Sequence, residues 1–355
     1  MARPPVPETT RRQFDAAVGR LRQLLPEGWR VEVEARNSTG GRARVSSERD
    51  DGAVTIWTRK RLDPRDVPTL PEPDGPTVVA SRWLSPRTRD LLRTRGIGYL
   101  DETGNTWIQM MTPGVFVRTD GADRDPSPKP AVAPTLRGPR AWALLRTLIE
   151  VAPPYSVREL SGALRVDAGY VSRVLQVLAG ELLIERRARG PVTAVDWEGM
   201  LRQLVSTYSV FNANETSTWV APAGAEQTLK TLADKRAGQW AVSGSFASAR
   251  IVPVAAPESA LIYTTDPDRL AKVARLLPAT TGSNVVLAVP YDEIVFTRTR
   301  RDGKVTFVST TQAAIDDLTG PGRMPQEGEA LMAWMKRNPK RWQATSLTDS
   351  TDGER

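Results

Sequence analysis

The sequence predicts a multidomain α+β protein, and three observations carry that expectation. The chain has 355 residues, more than one hydrophobic core usually serves. Its apolar pattern changes along its length, from strand-like runs, through helical spacing, to alternating strands and helices. A stretch rich in Pro, Asp and small residues, "GADRDPSPKPAVAPTLRGP", interrupts the pattern and lacks the apolar residues a core needs. The expected blocks are a small α/β domain over residues 1–120, an extended mobile linker over 121–135, and a compact, mostly helical block over 136–204. An α+β domain follows over 205–338, and then a disordered tail over 339–355, ending "SLTDSTDGER".

The first block contains "GWRVEVEARNSTGGRARVSSERDDGAVTIWTRKRL", which reads as strands. "TVVASRWLSPRTRDLLRTRGIGYLDETGNTWIQM" reads as strand, helix, glycine turn, strand, turn, strand, with Asp101 as a turn former. In the middle block, "RAWALLRTLIEVAPPYS" places Trp142, Leu145, Leu148 and Ile149 on one helical face, and two prolines stop the helix. Ser156 and Glu159 form a capping box for a second helix with Val157, Leu160 and Leu164 inward. "RV" makes a tight turn, and Asp167 caps a third helix that buries Val171, Val174, Leu175 and Leu178. "LLIERR", "ARGP" and "VTAV" then read as strand, turn and strand.

In the last block, "ALIYTT" and "NVVLAVP" are buried strands. "DPDRLAKVARLL" is a helix with Leu270, Val273 and Leu277 on one side. "VFTRTRRDGKVTFVS" is a hairpin turning at Asp302-Gly303, and "TQAAIDDL" and "EGEALMAWM" begin helices.

Composition narrows the chemistry. The chain has no Cys and no His, which removes disulfides, thiolate metal sites, Ser-His-Asp and Cys-His catalysis, and nearly all zinc chemistry. The expectation is no cofactor, no metal and no catalytic residue. No apolar run approaches a membrane span, and "MARPPVPETTRRQFDAAVGRL" has no signal-like apolar region, so a cytoplasmic protein without membrane contact is expected. Net charge is +8, and 41 of the 49 basic residues are Arg, a bias that GC-rich coding also produces. Residues 137–202 hold ten Arg against seven Asp plus Glu, a modest excess for a polyanion binder.

Helix, helix, turn, helix, hairpin is the winged helix-turn-helix pattern, and residues 136–204 resemble the DNA-binding domains of many bacterial repressors. Small residues at the leading end of the third helix suit insertion into a major groove. Tyr170, Ser172, Arg173 and Gln176 would meet bases or phosphates, and Arg186, Arg187 and Arg189 would place the hairpin tip on the backbone. The plainer readings are a solvated hairpin tip, and partial burial of Tyr170 against the hairpin.

Two stretches of the sequence are similar to enzyme patterns. Gly244-Ser245 followed by Asp266 and Asp268 is similar to a nucleotidyltransferase phosphate turn and metal pair. However, Asp266 and Asp268 flank a proline at a helix start, where capping explains them. The first block is similar to restriction-endonuclease-like cores, but Trp57 to Arg59 supply no carboxylate before Lys60, and Glu48, Asp50 and Asp51 fall in the preceding turn. The expectation is an inactive domain and a protein that is not an enzyme.

The run "SG-S-AS-R", "LIY", "NVVL-VP", then "VSTTQAAIDDL", "PGR" and "EGEAL", resembles the C-terminal domain of the AbiEi family, over roughly residues 136–337. That family comprises antitoxins of type IV toxin–antitoxin systems and their relatives among actinobacterial regulators. The resemblance implies a winged helix that binds promoter DNA and represses its operon, with Arg173 and the hairpin arginines in that part. The chain departs from the family in its extra front block and in "AAIDDL", where relatives carry a Leu-Asp-Leu run. The expected function is a DNA-binding transcriptional regulator on double-stranded DNA, a homodimer as such repressors often are. A type IV antitoxin, binding a cognate toxin or another protein partner through its C-terminal block, is the alternative.

Overall fold

The computed structural model describes residues 7–127, 136, 138–187, 190–235 and 237–347. The protein is a mixed α+β chain with two seven-stranded sheets and one two-stranded sheet among these residues. By its contacts it divides into two compact units: residues 1–132 with the turn 180–182, and the remainder.

The first unit opens with α1 (Glu8–Leu24), which buries Phe14, Ala17, Val18 and Leu21, the spacing of one helical face. The strands are β1 (Arg30–Asn37), β2 (Gly40–Ser46), β3 (Asp51–Arg59), β4 (Thr77–Ser81), β5 (Gly98–Asp101), β6 (Thr106–Met110) and β7 (Val115–Thr119), with α2 (Pro86–Thr94) between β4 and β5. They lie in the sheet in chain order. β3, β4 and β5 pair in parallel and the other neighbours are antiparallel. Alternation along the strands explains both layers. Val54, Ile56, Val78 and Ala80 pack with α1, while Val79, Tyr99, Leu92 and Ile97 form a second cluster with the Pro64–Thr69 turn and α2. Because both faces are covered, all five residues of β4 are buried.

Asp101 is the turn former expected of it. Its buried carboxylate accepts from the backbone N–H groups of Leu84, Thr103 and Asn105 and from the Thr103 and Asn105 side chains. The start of the expected linker differs from expectation. Gly121 donates to Asn105, Ala122 accepts from Trp83 and Asn105, and Asp123 and Asp125 meet arginines, so residues 121–125 are tied to this unit. The linker's acidic residues thus act as ion-pair partners.

The second unit contains α3 (Pro139–Glu150), α4 (Val157–Leu164), α5 (Ala168–Gly180), β8 (Ile184–Arg186), β9 (Val192–Val195) and α6 (Trp197–Val205). Then follow α7 (Val210–Ala213), β10 (Glu215–Val220), α8 (Ala225–Ala233), β11 (Trp240–Ser243), α9 (Ser245–Ser248), β12 (Ala260–Thr264) and α10 (Pro267–Ala274). The unit closes with β13 (Leu277–Pro278), β14 (Val285–Val289), β15 (Arg300–Asp302), β16 (Val305–Phe307), α11 (Thr310–Thr319) and α12 (Met324–Arg337). Its large sheet has the order β13-β10-β14-β12-β11-β16-β15. One hydrophobic cluster runs from Leu144 and Leu175 through Ile184 and Val192 to Val242, Ile262 and Leu331. Residues 136–204 and 205–338 therefore share a core.

Three expectations need correction here. α10 stops at Ala274, capped by Arg275 in the left-handed region, so Leu277 leaves the helix, and it is 57% exposed in β13 while Leu276 takes the core position. The late hairpin pairs Asp302 with Val305, so its turn is Gly303-Lys304, one residue beyond the expected pair, and Glu293–Phe296 is a 3-10 turn and not a strand. The first part of the expected disordered tail is ordered. Ala344 exchanges backbone hydrogen bonds with Glu150 and Ala152, and Trp342 packs edge-on against Trp197 at 5.2 Å. The tail beyond Leu347 lies outside the described residues. No helix among the described residues is long and apolar enough to cross a membrane.

Candidate nucleic-acid interface

The segment 139–195 is built by local signals. At the start of α4, Ser156 Oγ accepts from the Glu159 N–H at 3.2 Å, and the Glu159 carboxylate accepts from the Ser156 N–H at 2.7 Å. That reciprocal cap holds the Glu159 carboxyl below its ordinary pKa. Such caps contribute about 1 kcal/mol each. α4 ends on Arg165 at φ 52°, and the Ser161 hydroxyl closes the turn by donating to the Val166 carbonyl at 2.6 Å. Asp167 caps α5 by accepting from the Tyr170 N–H at 2.8 Å. Val171, Val174, Leu175 and Leu178 are fully buried, which fixes the rotation of α5. β8 and β9 pair antiparallel, and Tyr155 adds a bridge to Val192 as a third strand position that the sequence did not suggest.

This rotation decides what α5 offers outward. Ala168, Gly169, Ser172, Arg173 and Gln176 are exposed. A Cβ on Gly169 would lie 3.4 Å from an Arg173 terminal nitrogen and 3.1 Å from Asp167 Oδ1, so the guanidinium folds back over the leading turn of the helix, close to its cap. Tyr170 is half-buried and packs on the core; burial raises its pKa, with Arg140 and Arg173 opposing. On the hairpin Arg186 is half-buried and Arg187 exposed, and Gly190 donates its N–H back to the Arg187 carbonyl at 2.9 Å. Arg189 lies outside the described residues. Among the described residues, no ion pair involves Arg158, Arg165, Arg173, Arg186 or Arg187.

The sequence missed the polar interior beneath this surface. Arg146, on α3, is fully buried and pairs with Glu150 at 2.8 Å. It also donates to Gln312, Ser309 and the Thr297 carbonyl. Gln312 passes a hydrogen bond to Asp316, which also accepts from Ser243, Tyr208 and Tyr263. Burial still pushes the Asp316 carboxyl up to about 6, against these donors. Asp317, beside it, is fully buried, and neither of its oxygens has a hydrogen-bond partner. The nearby Ser248 hydroxyl is directed to the Gly244 and Ser245 carbonyls. Burial and the neighbouring Glu327 push Asp317 up to about 8.

The two enzyme-like patterns are not assembled. β11 and β12 are antiparallel, with Trp240 opposite Thr264 and Ser243 opposite Leu261. Gly244-Ser245 therefore lies at one end of the pair and Asp266–Asp268 at the other, at least ~10 Å apart. Asp266 caps α10 through the Arg269 N–H at 3.0 Å, and Ser245 donates to Glu327. In the first unit Lys60 follows the end of β3, and Asp51 opens that strand in an ion pair with Arg44. No group of three or more acidic side chains suited to a metal occurs among the described residues. No protein-family model, no curated protein and no solved structure matches the chain.

Proposed function

We propose that residues 136–204 are a winged helix-turn-helix reading duplex DNA, and that the protein is a transcriptional regulator acting as a repressor. The observation that carries this reading is the outward face of α5. Two small residues lead, then Ser172, Arg173 and Gln176 stand exposed on a helix whose opposite face is locked in the core. A helix so presented suits a major groove, and the Arg186–Arg187 hairpin beside it suits the phosphate backbone. Tyr170, half-buried, is better placed to support the helix than to reach a base edge.

The test is binding to the DNA upstream of the gene against a scrambled duplex, across a salt series. The expected result is selective binding that survives ~0.15 M salt, weakened in Arg173→Ala by about 1 to 3 kcal/mol with relaxed sequence choice. An Arg173→Ala protein that binds like the parent would sink the assignment of α5 as reader.

A second reading is an antitoxin that binds a cognate toxin through its C-terminal block. One observation favours it: the quoted "SG-S", "DDL", "PGR" and "EGEAL" segments converge. Ser245 donates to Glu327, Arg323 pairs with Glu327 at 3.2 Å, and a Cβ on Gly244 (φ 65°) would come 3.2 Å from Met324. Co-purification of a partner protein, lost on disrupting this cluster but kept in Arg173→Ala, would favour it.

A further inference from the structure

The first unit holds a cavity of about 330 Å³ between α1 and the carboxyl ends of β4 and β5. Its floor is Ala80, Ser81, Leu100 and Asp101, the last residues of two parallel strands. The volume is at the small end of ligand sites. The wall is a stripe of α1 formed by Ala16, Gly19, Arg20 and Gln23, beside the stripe that fills the core.

Two features set this space apart from a packing gap. Arg20 makes no hydrogen bond or ion pair among the described residues, and its buried Nε has no partner. Its guanidinium lies over the Asp101 turn, where a Cβ on Gly104 would approach Nη2 to 3.4 Å. Asp101 itself is not available to Arg20, because its carboxylate is already occupied by the turn. Gly19 is the second feature. Glycine inside a helix is unfavourable, and Gly19 lines this cavity at a point where a Cβ would meet nothing within 4 Å, so no packing contact requires glycine there.

We propose that this cavity binds a small organic monocarboxylate, with the Arg20 guanidinium holding the carboxylate and Ala16, Ala80 and Leu100 taking the apolar body. A guanidinium with free donors matches a carboxylate in a two-pronged geometry. The Glu102 carboxylate on the same cavity opposes a doubly charged anion and so favours a single charge. The inference goes beyond the DNA reading and stands whether or not that reading holds.

The experiment is calorimetric titration of the full chain with benzoate and hexanoate, and with benzamide and hexanamide as uncharged counterparts. Saturable binding of a carboxylate, at least tenfold weaker for its amide, is expected. Arg20→Gln should weaken it at least tenfold. Gly19→Leu, which fills the cavity and favours the helix, should abolish it while the melting temperature holds or rises. No saturable binding of either carboxylate up to ~10 mM, equal binding of acid and amide, or parent-like binding by both variants overturns the proposal.

Discussion

Arg146, in the interior of the second unit, directs its guanidinium to Glu150, Gln312, Ser309 and a backbone carbonyl, all within the fold. Arg173, Arg186 and Arg187, on α5 and the hairpin, have no ion pair among the described residues. In the first arrangement every charge is answered by a neighbour fixed by folding. In the second, donors remain for something outside the chain. Charge counts do not separate the two, since both regions are arginine with nearby carboxylates. What separates them is whether the helix face carrying the arginine is turned into the core, and apolar spacing decides that.

The contrast breaks most sharply at Arg146. Arg146→Met leaves Glu150 buried with Arg298, at 3.4 Å, as its remaining ion-pair partner beside a hydrogen bond from the Ser309 hydroxyl, and leaves the Gln312 side-chain oxygen without its donor. The expected cost is about 3 to 5 kcal/mol in chemical denaturation, because removing one member of a buried pair strands the other. Pairing it with Glu150→Gln should recover part of that loss. A single variant as stable as the parent would mean that the interior arginine is not structural.

Asp317 sharpens the same contrast from the acid side. Its folded pKa, about 8, lies above that of an unfolded Asp, so the folded chain holds more protons between those values. Its contribution to stability is full at low pH and is lost as pH rises through about 8. Stability should therefore fall by up to about 1.4 kcal/mol per pH unit between about pH 4 and pH 8 from this group, and no further above that. Asp317→Asn should flatten that slope and be the more stable protein at pH 8. Unfolding curves at pH 5 and 8 decide it, and identical slopes in the two proteins would show that Asp317 titrates normally.

The elements that the sequence made legible are those with local causes. The Ser156–Glu159 box, the Asp167 and Asp266 caps and the Val171–Leu178 stripe need only neighbours within a turn or two, and all four take the form their spacing implies. The outward set Ser172, Arg173 and Gln176 follows from that stripe by elimination. Illegible features depend on distant partners. Arg146 pairs with Glu150 at i,i+4 on its own helix, a spacing equally common on a solvated face, and its other side-chain partners, Gln312 and Ser309, are 166 and 163 residues away, so the local sequence does not mark it as buried. Leu277 fits the period of α10, but Arg275 adopts the left-handed region and ends the helix first. Ala344 sits in a polar tail and is ordered by the edge of backbone at Glu150–Ala152, which no tail composition reveals. The separation of Gly244-Ser245 from Asp266 is a matter of strand direction, and the spacing of those residues in the chain is silent on that.

The smallest effect is expected at the hairpin, where it discriminates most finely. Arg187 is exposed and its side chain has no ion pair among the described residues, so Arg187→Ala should change stability by no more than about 0.5 kcal/mol. If the hairpin lies on phosphates, the variant should bind operator and scrambled duplex more weakly by the same factor. The slope of log affinity against log salt should then become shallower by about 0.9, one phosphate contact. If the loss falls on the operator alone with the slope unchanged, the hairpin reads bases, and sequence choice would be shared between α5 and the wing. If affinity and slope both stay at parent values while Arg173→Ala still weakens binding, the hairpin arginine is a solvated tip. The division between arginines held by the fold and arginines left for a partner would then have to be drawn inside α5 itself.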